Sequence, residues 1–412
     1  MPHDLDAVVR EEWGRLVALL LARFRRLDLV EDALGDAVEA AARQWPGDGV
    51  PDRPAAWLLT VARRRIIDRL RAEAVAQRSH ALVATDLDRG EQTVRAMADP
   101  GDLVEDDLLR LVLMCTHPAL ADESASALAL RLVLGLPTRD VARLFLVPEP
   151  TMAARITRAK KKIVAAGIPF AVPRRDVLPG RMEAVARTAY LAFTAGYAPG
   201  DGPDPVRVRL AGEAVRLVRT VHELRPQDPT VTALLALVLL QHSRRDARSD
   251  SEGRLVLLAD QDRDRWHHDE IDEGVSLLRS PELTGVVPEP AAAYLLQALV
   301  AAEHATAPDP ASTRWSRIVG LYDRLLVIDP SPSAALARAV AVGEAHGPRA
   351  GLAERAGVDL PGSHRVLAVR AELLARAGDA AAAATAFDDA IALCRNEAER
   401  SHLLRRRQAI GG

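Results

Sequence analysis

From Thr138 to Ile163 the chain reads Thr-Arg-Asp-Val-Ala-Arg-Leu-Phe-Leu-Val-Pro-Glu-Pro-Thr-Met-Ala-Ala-Arg-Ile-Thr-Arg-Ala-Lys-Lys-Lys-Ile. The pattern predicts a short helix, a tight turn and a longer basic helix, in that order. Leu132, Leu136, Val141, Ala142 and Leu144 supply apolar packing, and Val147-Pro148 ends the turn. Pro150 is tolerated because first-turn amides have no intrahelical acceptor. The chain has only three lysines against 51 arginines, and all three sit together here as Lys160, Lys161 and Lys162. Residues 138–175 hold nine Arg or Lys against Asp140 and Glu149, whereas the whole chain carries a net charge of -3. Positive charge gathered on one helix of a mildly acidic protein is the footprint of a phosphate-facing surface.

The rest of the composition sets the fold class. At 412 residues the chain is long enough for two to four domains. Apolar residues make up 49% of it, aromatics only 3%, and β-branched alternation is scarce, so the expectation is an all-α protein. Two cysteines, Cys115 and Cys394, form no disulfide framework. The acidic start lacks a signal peptide's basic and apolar regions, and the runs Leu16 to Ala22 and Val231 to Leu240 fall short of the roughly 20 residues that span a bilayer. A soluble, cytoplasmic protein with no membrane partner is expected.

Helices are predicted over Val8 to Leu27, Val30 to Trp45 and Pro54 to Arg71, with Pro46 to Pro51 as a turn. Periodicity then fades. Residues 76–110 hold four arginines against eight Asp or Glu, which reads as a solvated linker. Val104 to Cys115 and Asp122 to Leu134 lead into the helix-turn-helix, and Gly167, Pro169, Pro173 and Pro179 mark another boundary. The domain boundaries expected are therefore 1–75, a linker at 76–103, 104–167 and a helical region at 175–412. That last region has a loose period of about 34 residues, the length of a tetratricopeptide unit. It is clearest from His364 onward, where Gly378 separates two helices and Ala383, Phe387 and Ala390 take small, aromatic and small positions.

On the Pro54 helix, Leu58, Ala62, Ile66 and Leu70 form a buried face at four-residue spacing, leaving Thr60, Arg63, Arg64, Ile67 and Arg71 on the other. Guanidinium groups there can take phosphates while an apolar side chain faces a base. On the basic helix, Thr151, Ala154, Arg155 and Arg158 can point into a major groove, since recognition helices read bases with their N-terminal half. Lys161 and Lys162 are placed to hold phosphate. No enzyme chemistry is expected. The adjacent histidines His267-His268 diverge by about 100° on a helix and suit no single metal ion. Cys115 reads as a small core residue, and no glycine-rich phosphate loop is present, so neither a metal nor a cofactor is expected.

Three segments together resemble extracytoplasmic-function sigma factors of bacterial RNA polymerase. Val30-Glu-Asp-Ala-Leu-Gly-Asp-Ala-Val-Glu-Ala-Ala-Ala-Arg-Gln-Trp45 looks like the family's polymerase-binding helix. Pro54 to Arg71 looks like its helix for the minus-ten promoter element, and Val147 to Ile163 matches the helix that reads the minus-thirty-five element. The resemblance covers residues 5–166 and implies core polymerase and promoter DNA as partners, with Asp32, Asp36 and Val38 contacting polymerase. Leu178 to Tyr197 and Leu255 to Trp266 are similar to sigma factors with a tetratricopeptide-like C-terminal extension, a subgroup often called ECF42. That likeness implies a regulatory arm, with a regulatory protein as its partner. Gly35 departs from the family's usual Gln, Arg64 from a common Asn, and Ala153-Ala154 from a more polar pair. The rival reading is a helix-turn-helix activator or repressor whose helical repeats sense a ligand or partner.

Overall fold

A computed structural model describes residues 2–76, 102–145, 147–197, 208–360 and 362–411, and the described residues are helical with no strand among them. They fall into two compact units, Met1–Thr188 and Ala189–Gly412. The acidic stretch 77–101 lies outside the described residues.

The first unit opens with α1 (Pro2–Phe24), α2 (Leu27–Asp48) and α3 (Pro54–Ala76), each packed on the other two. Trp13, Val17 and Leu20 of α1 meet a core of Val30, Leu34 and Ala37 from α2, and Leu58, Ala62 and Ile66 of α3 are fully buried. Arg25, at φ 53°, makes the sharp joint between α1 and α2. One boundary differs from the sequence reading. Helix α2 runs through Pro46 to Asp48 before Gly49, at φ 85°, ends it with its N–H on the Trp45 carbonyl. Pro46 lies in the last turn of α2, and the preceding Trp45 is buried and packs edge-on against Trp57, with ring centroids 5.6 Å apart.

Helices α4 (Asp102–Cys115), α5 (Asp122–Leu128), α6 (Thr138–Leu144) and α7 (Glu149–Ala165) follow. Between α5 and α6 the backbone widens into a π-helical turn, Ala129–Val133. Helix α1 packs on both α4 and this turn, so the two expected domains share one compact unit. Two glycines permit the approach. A Cβ on Gly14 would collide with the Val133 carbonyl, and one on Gly135 would come within 2.6 Å of the Trp13 ring. Gly135 also needs φ 73°, which only glycine adopts freely. The unit ends part-way along α8 (Leu178–Tyr197), whose Arg181 donates to the Leu113 carbonyl and whose Thr188 carbonyl accepts from the Ser126 hydroxyl. The first unit therefore extends past the break expected near Gly167.

The second unit continues α8 through α9 (Val208–Leu224), α10 (Pro229–His242), α11 (His268–Leu277), α12 (Glu289–Ala305), α13 (Trp315–Ile328) and α14 (Pro332–His346). It closes with α15 (Pro348–Ala356), α16 (His364–Arg376), α17 (Ala380–Leu393) and α18 (Glu397–Gly411). From α12 on, each helix packs on the next. Helix α10 holds the apolar run Val231 to Leu240 and is buried on every side between α9, α11 and α12. No described helix is long and apolar enough to cross a membrane. The α16–α17 pair packs as its small residues predict: Ala383, Phe387 and Ala390 are fully buried, Phe387 and Ala390 in one core with Ala371, and Gly378 turns the chain at φ 85°.

Candidate nucleic-acid interface

The helix-turn-helix has the expected anatomy. Pro137 and Pro148 stand at the N-cap positions of α6 and α7, and the Val147 N–H reaches back to the Ala142 carbonyl at 3.1 Å. Met152, Ile156, Ala159 and Ile163 are the buried stripe of α7, at spacings of four, three and four. Thr151, Ala154, Arg158, Lys161 and Lys162 are exposed, giving a continuous face with a small N-terminal end and a basic C-terminal end.

Two basic groups of α7 do not join that face. Arg155 is only 19% exposed and pairs with Glu123 of α5 at 2.9 Å. Lys160 turns inward and pairs with Glu31 of α2, whose other carboxylate oxygen accepts from Arg131 at 2.7 Å. Arg131 in turn lies 5.1 Å from the Trp13 ring centroid, stacked over it. Glu31 thus ties α2, the π turn and α7 into one clasp. Neither Glu31 nor Arg131 is singled out by the sequence reading. The available signal is a carboxylate flanked at helical spacing by Leu27 and Leu34, on the face of α2 that must be buried.

Helix α3 presents Thr60, Arg64 and Arg71 to solvent, with Arg63 and Ile67 half-buried beside them. Burial, then the neighbouring Arg63, hold the Arg23 guanidinium below its ordinary pKa where α1 and α3 meet. On α2, Asp32 and Asp36 are bridged by Arg69 of α3, at 3.6 and 2.8 Å, and Val38 is half-buried. A Cβ on Gly35 would meet nothing within 4 Å. Along this edge Asp32 and Gly35 are exposed and Asp36 is half-buried.

Other candidate groups take structural roles. Cys115 is buried, and burial pushes its thiol well above the usual range, leaving it inert. His117 caps the following turn by accepting the Ala119 N–H at 3.1 Å, and burial, then Arg181, lowers its pKa. His267 is engaged by Asp246 at 2.7 Å and by Arg245, while His268 is exposed.

Comparison with known proteins converges on these same surfaces. Residues 8–75 match the family model for sigma-70 region 2, and residues 110–163 match that for sigma-70, region 4. The chain belongs to the sigma-70 family. Region 2 covers α2 and α3, region 4 covers the helix-turn-helix, and residues 181–281 match a family of unknown function, DUF6596, which makes this an extracytoplasmic-function type with a C-terminal extension. An uncharacterized protein of Rhizobium meliloti (strain 1021) is 43% identical over 405 residues, covering 97% of this chain and 94% of its own length. No solved structure matches. As a sigma factor the chain recognises promoters and directs transcription initiation, binding core RNA polymerase and promoter DNA; families of this kind are non-enzymatic regulators.

Proposed function

We propose that this sigma factor docks on core polymerase through the α2 edge of Asp32, Asp36 and Val38, and that its unbound form is closed. Arg63, Arg64, Ile67 and Arg71 of α3 take the minus-ten element. Thr151, Ala154, Arg155, Arg158, Lys161 and Lys162 of α7 take the minus-thirty-five element. The observation that carries the closed state is the Glu31 clasp, which holds α7 against α2. Two elements about 25 base pairs apart are separated by about 85 Å at about 3.4 Å per base pair. A compact unit of this length has a radius of gyration of only about 16 Å. The clasp must therefore open before both elements can be read together, and residues 77–101 supply up to about 80 Å of chain when extended.

Opening also frees Lys160 from Glu31, adding one cation to the phosphate-facing set, whereas the Arg155–Glu123 pair joins α7 to α5 within one region and is exchanged for phosphate only on DNA contact. Interaction with polymerase provides the free energy, so the free chain binds DNA weakly and with strong salt dependence. The C-terminal unit is the regulatory arm, and its stacked helices offer a surface for a protein partner. The site of action is the cytoplasm.

Run-off transcription with purified core polymerase tests this reading, comparing the full chain with one ending after Tyr197, which keeps the part of α8 that packs in the first unit. Initiation that depends on the added chain is expected, with the shortened form revealing whether the extension restrains or supports it. No initiation, together with tight duplex binding by the chain alone, would point to a conventional helix-turn-helix regulator.

A further inference from the structure

Three metal-ligating side chains converge at the end of the second unit, far along the sequence from the promoter-reading helices. His364 is the first residue of α16, Cys394 follows the last residue of α17, and Glu399 lies in the first turn of α18. A ring nitrogen of His364, Sγ of Cys394 and a carboxylate oxygen of Glu399 all lie within 4.8 Å of one another. Each is supplied by a different helix or its end, and the backbone at each is pinned. Ser363 is the N-cap residue of α16, and the Cys394 N–H is bonded to the Ala390 carbonyl at 3.0 Å. The Asn396 side chain accepts the Glu399 N–H at 3.0 Å, fixing the turn between α17 and α18.

We propose that His364, Cys394 and Glu399 bind a thiophilic divalent transition-metal ion of the zinc class. An imidazole nitrogen, a thiolate and a carboxylate are the donors that such ions take in four-coordinate sites, with water free to fill the fourth position. Metal–ligand bonds of about 2.0–2.3 Å set tetrahedral donors about 3.3–3.8 Å apart. The His364–Glu399 pair, now 2.6 Å apart, opens by about an ångström to admit the ion, and the sulfur, within 4.8 Å of both, closes by no more than about 1.5 Å. These shifts lie within the reach of side-chain rotation.

Charge and orientation agree with this occupant. The Cys394 proton passes to solvent on binding, and the thiolate and carboxylate together balance the dication. The second oxygen of Glu399 accepts from Arg365 at 2.9 Å, which holds the carboxylate plane as outer-shell partners do around bound metals. Cys394 is 8% exposed and His364 and Glu399 are half-buried, so the site is sheltered from bulk water yet has an entry path. The ion would clamp α18 onto α16 and α17, making the order of the terminal helix respond to metal supply. The inference does not depend on the promoter reading.

The test uses the full chain, stripped with a chelator and titrated with Co²⁺ alone. One Co²⁺ per chain is expected, with a sulfur-to-metal absorption band that Cys394→Ser abolishes and Cys115→Ser leaves in place. His364→Gln and Glu399→Gln should weaken binding by at least about tenfold, the loss typical even of outer-shell changes. Circular dichroism checks that each variant folds. A second readout needs no variant: Zn²⁺ should protect Cys394 of the native chain from alkylation, read by peptide mass spectrometry. Absence of the band, its survival in Cys394→Ser, or alkylation unchanged by Zn²⁺ would overturn the proposal.

Discussion

Glu31 in the first unit and Glu303 in the second are both nearly fully buried carboxylates, and each is held by two cations. Their partners differ. Glu303 is held by Arg314 and Arg317, 11 and 14 residues on, at the start of the next helix in the stack. Glu31 is held by Arg131 and Lys160, 100 and 129 residues away, across the two sigma regions. The same chemistry is a local staple in one unit and a long-range clasp in the other. Solvation separates them further: Arg314 and Arg317 are 62% and 51% exposed, whereas Arg131 and Lys160 are 17% and 27% exposed. Losing Glu303 returns two cations to water, but losing Glu31 leaves two cations poorly solvated.

The largest effect is therefore expected at Glu31. Glu31→Ala should cost the closed first unit about 3–5 kcal/mol, the usual result of stranding buried charge. Thermal unfolding would measure it, and small-angle scattering would reveal opening. The same variant should bind duplex minus-thirty-five fragments more tightly than the native chain does. Unchanged stability, scattering and binding would remove the distinction between clasp and staple.

Next comes pH, which acts on the second unit. Burial, then Arg244 and Arg263, lower the His304 pKa to about 4, against about 6.5 when unfolded. The folded state refuses a proton that the unfolded chain accepts, so stability is full above pH 6.5 and falls as pH drops toward 4. The slope is about 1.4 kcal/mol per pH unit, reaching roughly 3 kcal/mol. Thermal melts between pH 7.5 and 4.5 should show this loss, and His304→Gln should flatten it.

Glu303→Ala should cost only about 1 kcal/mol by chemical denaturation, because its arginines are already half in water. A loss equal to that of Glu31→Ala would mean that sequence separation and solvation do not matter here. Smallest is Gly35→Ala, on the same helix as Glu31. The position is open and helical, so the added methyl should stabilise the first unit by about 1 kcal/mol in a thermal melt.

Much of this molecule is legible in its amino-acid order. The buried stripes Leu58-Ala62-Ile66 and Met152-Ile156-Ala159-Ile163 follow from helical period alone, as does the Ala383-Phe387-Ala390 seam. The turn before α7 follows from Val147-Pro148, and the exposed basic set Arg158, Lys161 and Lys162 from their positions opposite that stripe. Less legible are the fates of Arg155 and Lys160, which share α7 with those residues but sit where it meets α5 and α2. Helix periodicity assigns a residue to a face, and it does not say which neighbour that face will meet.

The all-α class, the order of the region 2 and region 4 helices and most of their exposed residues follow from the residues alone, because each depends on spacing within one helix. Three other features arise only when the helices assemble: Glu31 reaches Arg131 and Lys160, Gly14 and Gly135 let α1 close on the π turn, and His364, Cys394 and Glu399 converge. These are meetings between segments separated by up to 129 residues. Such meetings are set by how whole helices pack, and packing is a property of the assembled surfaces rather than of any one stretch of chain.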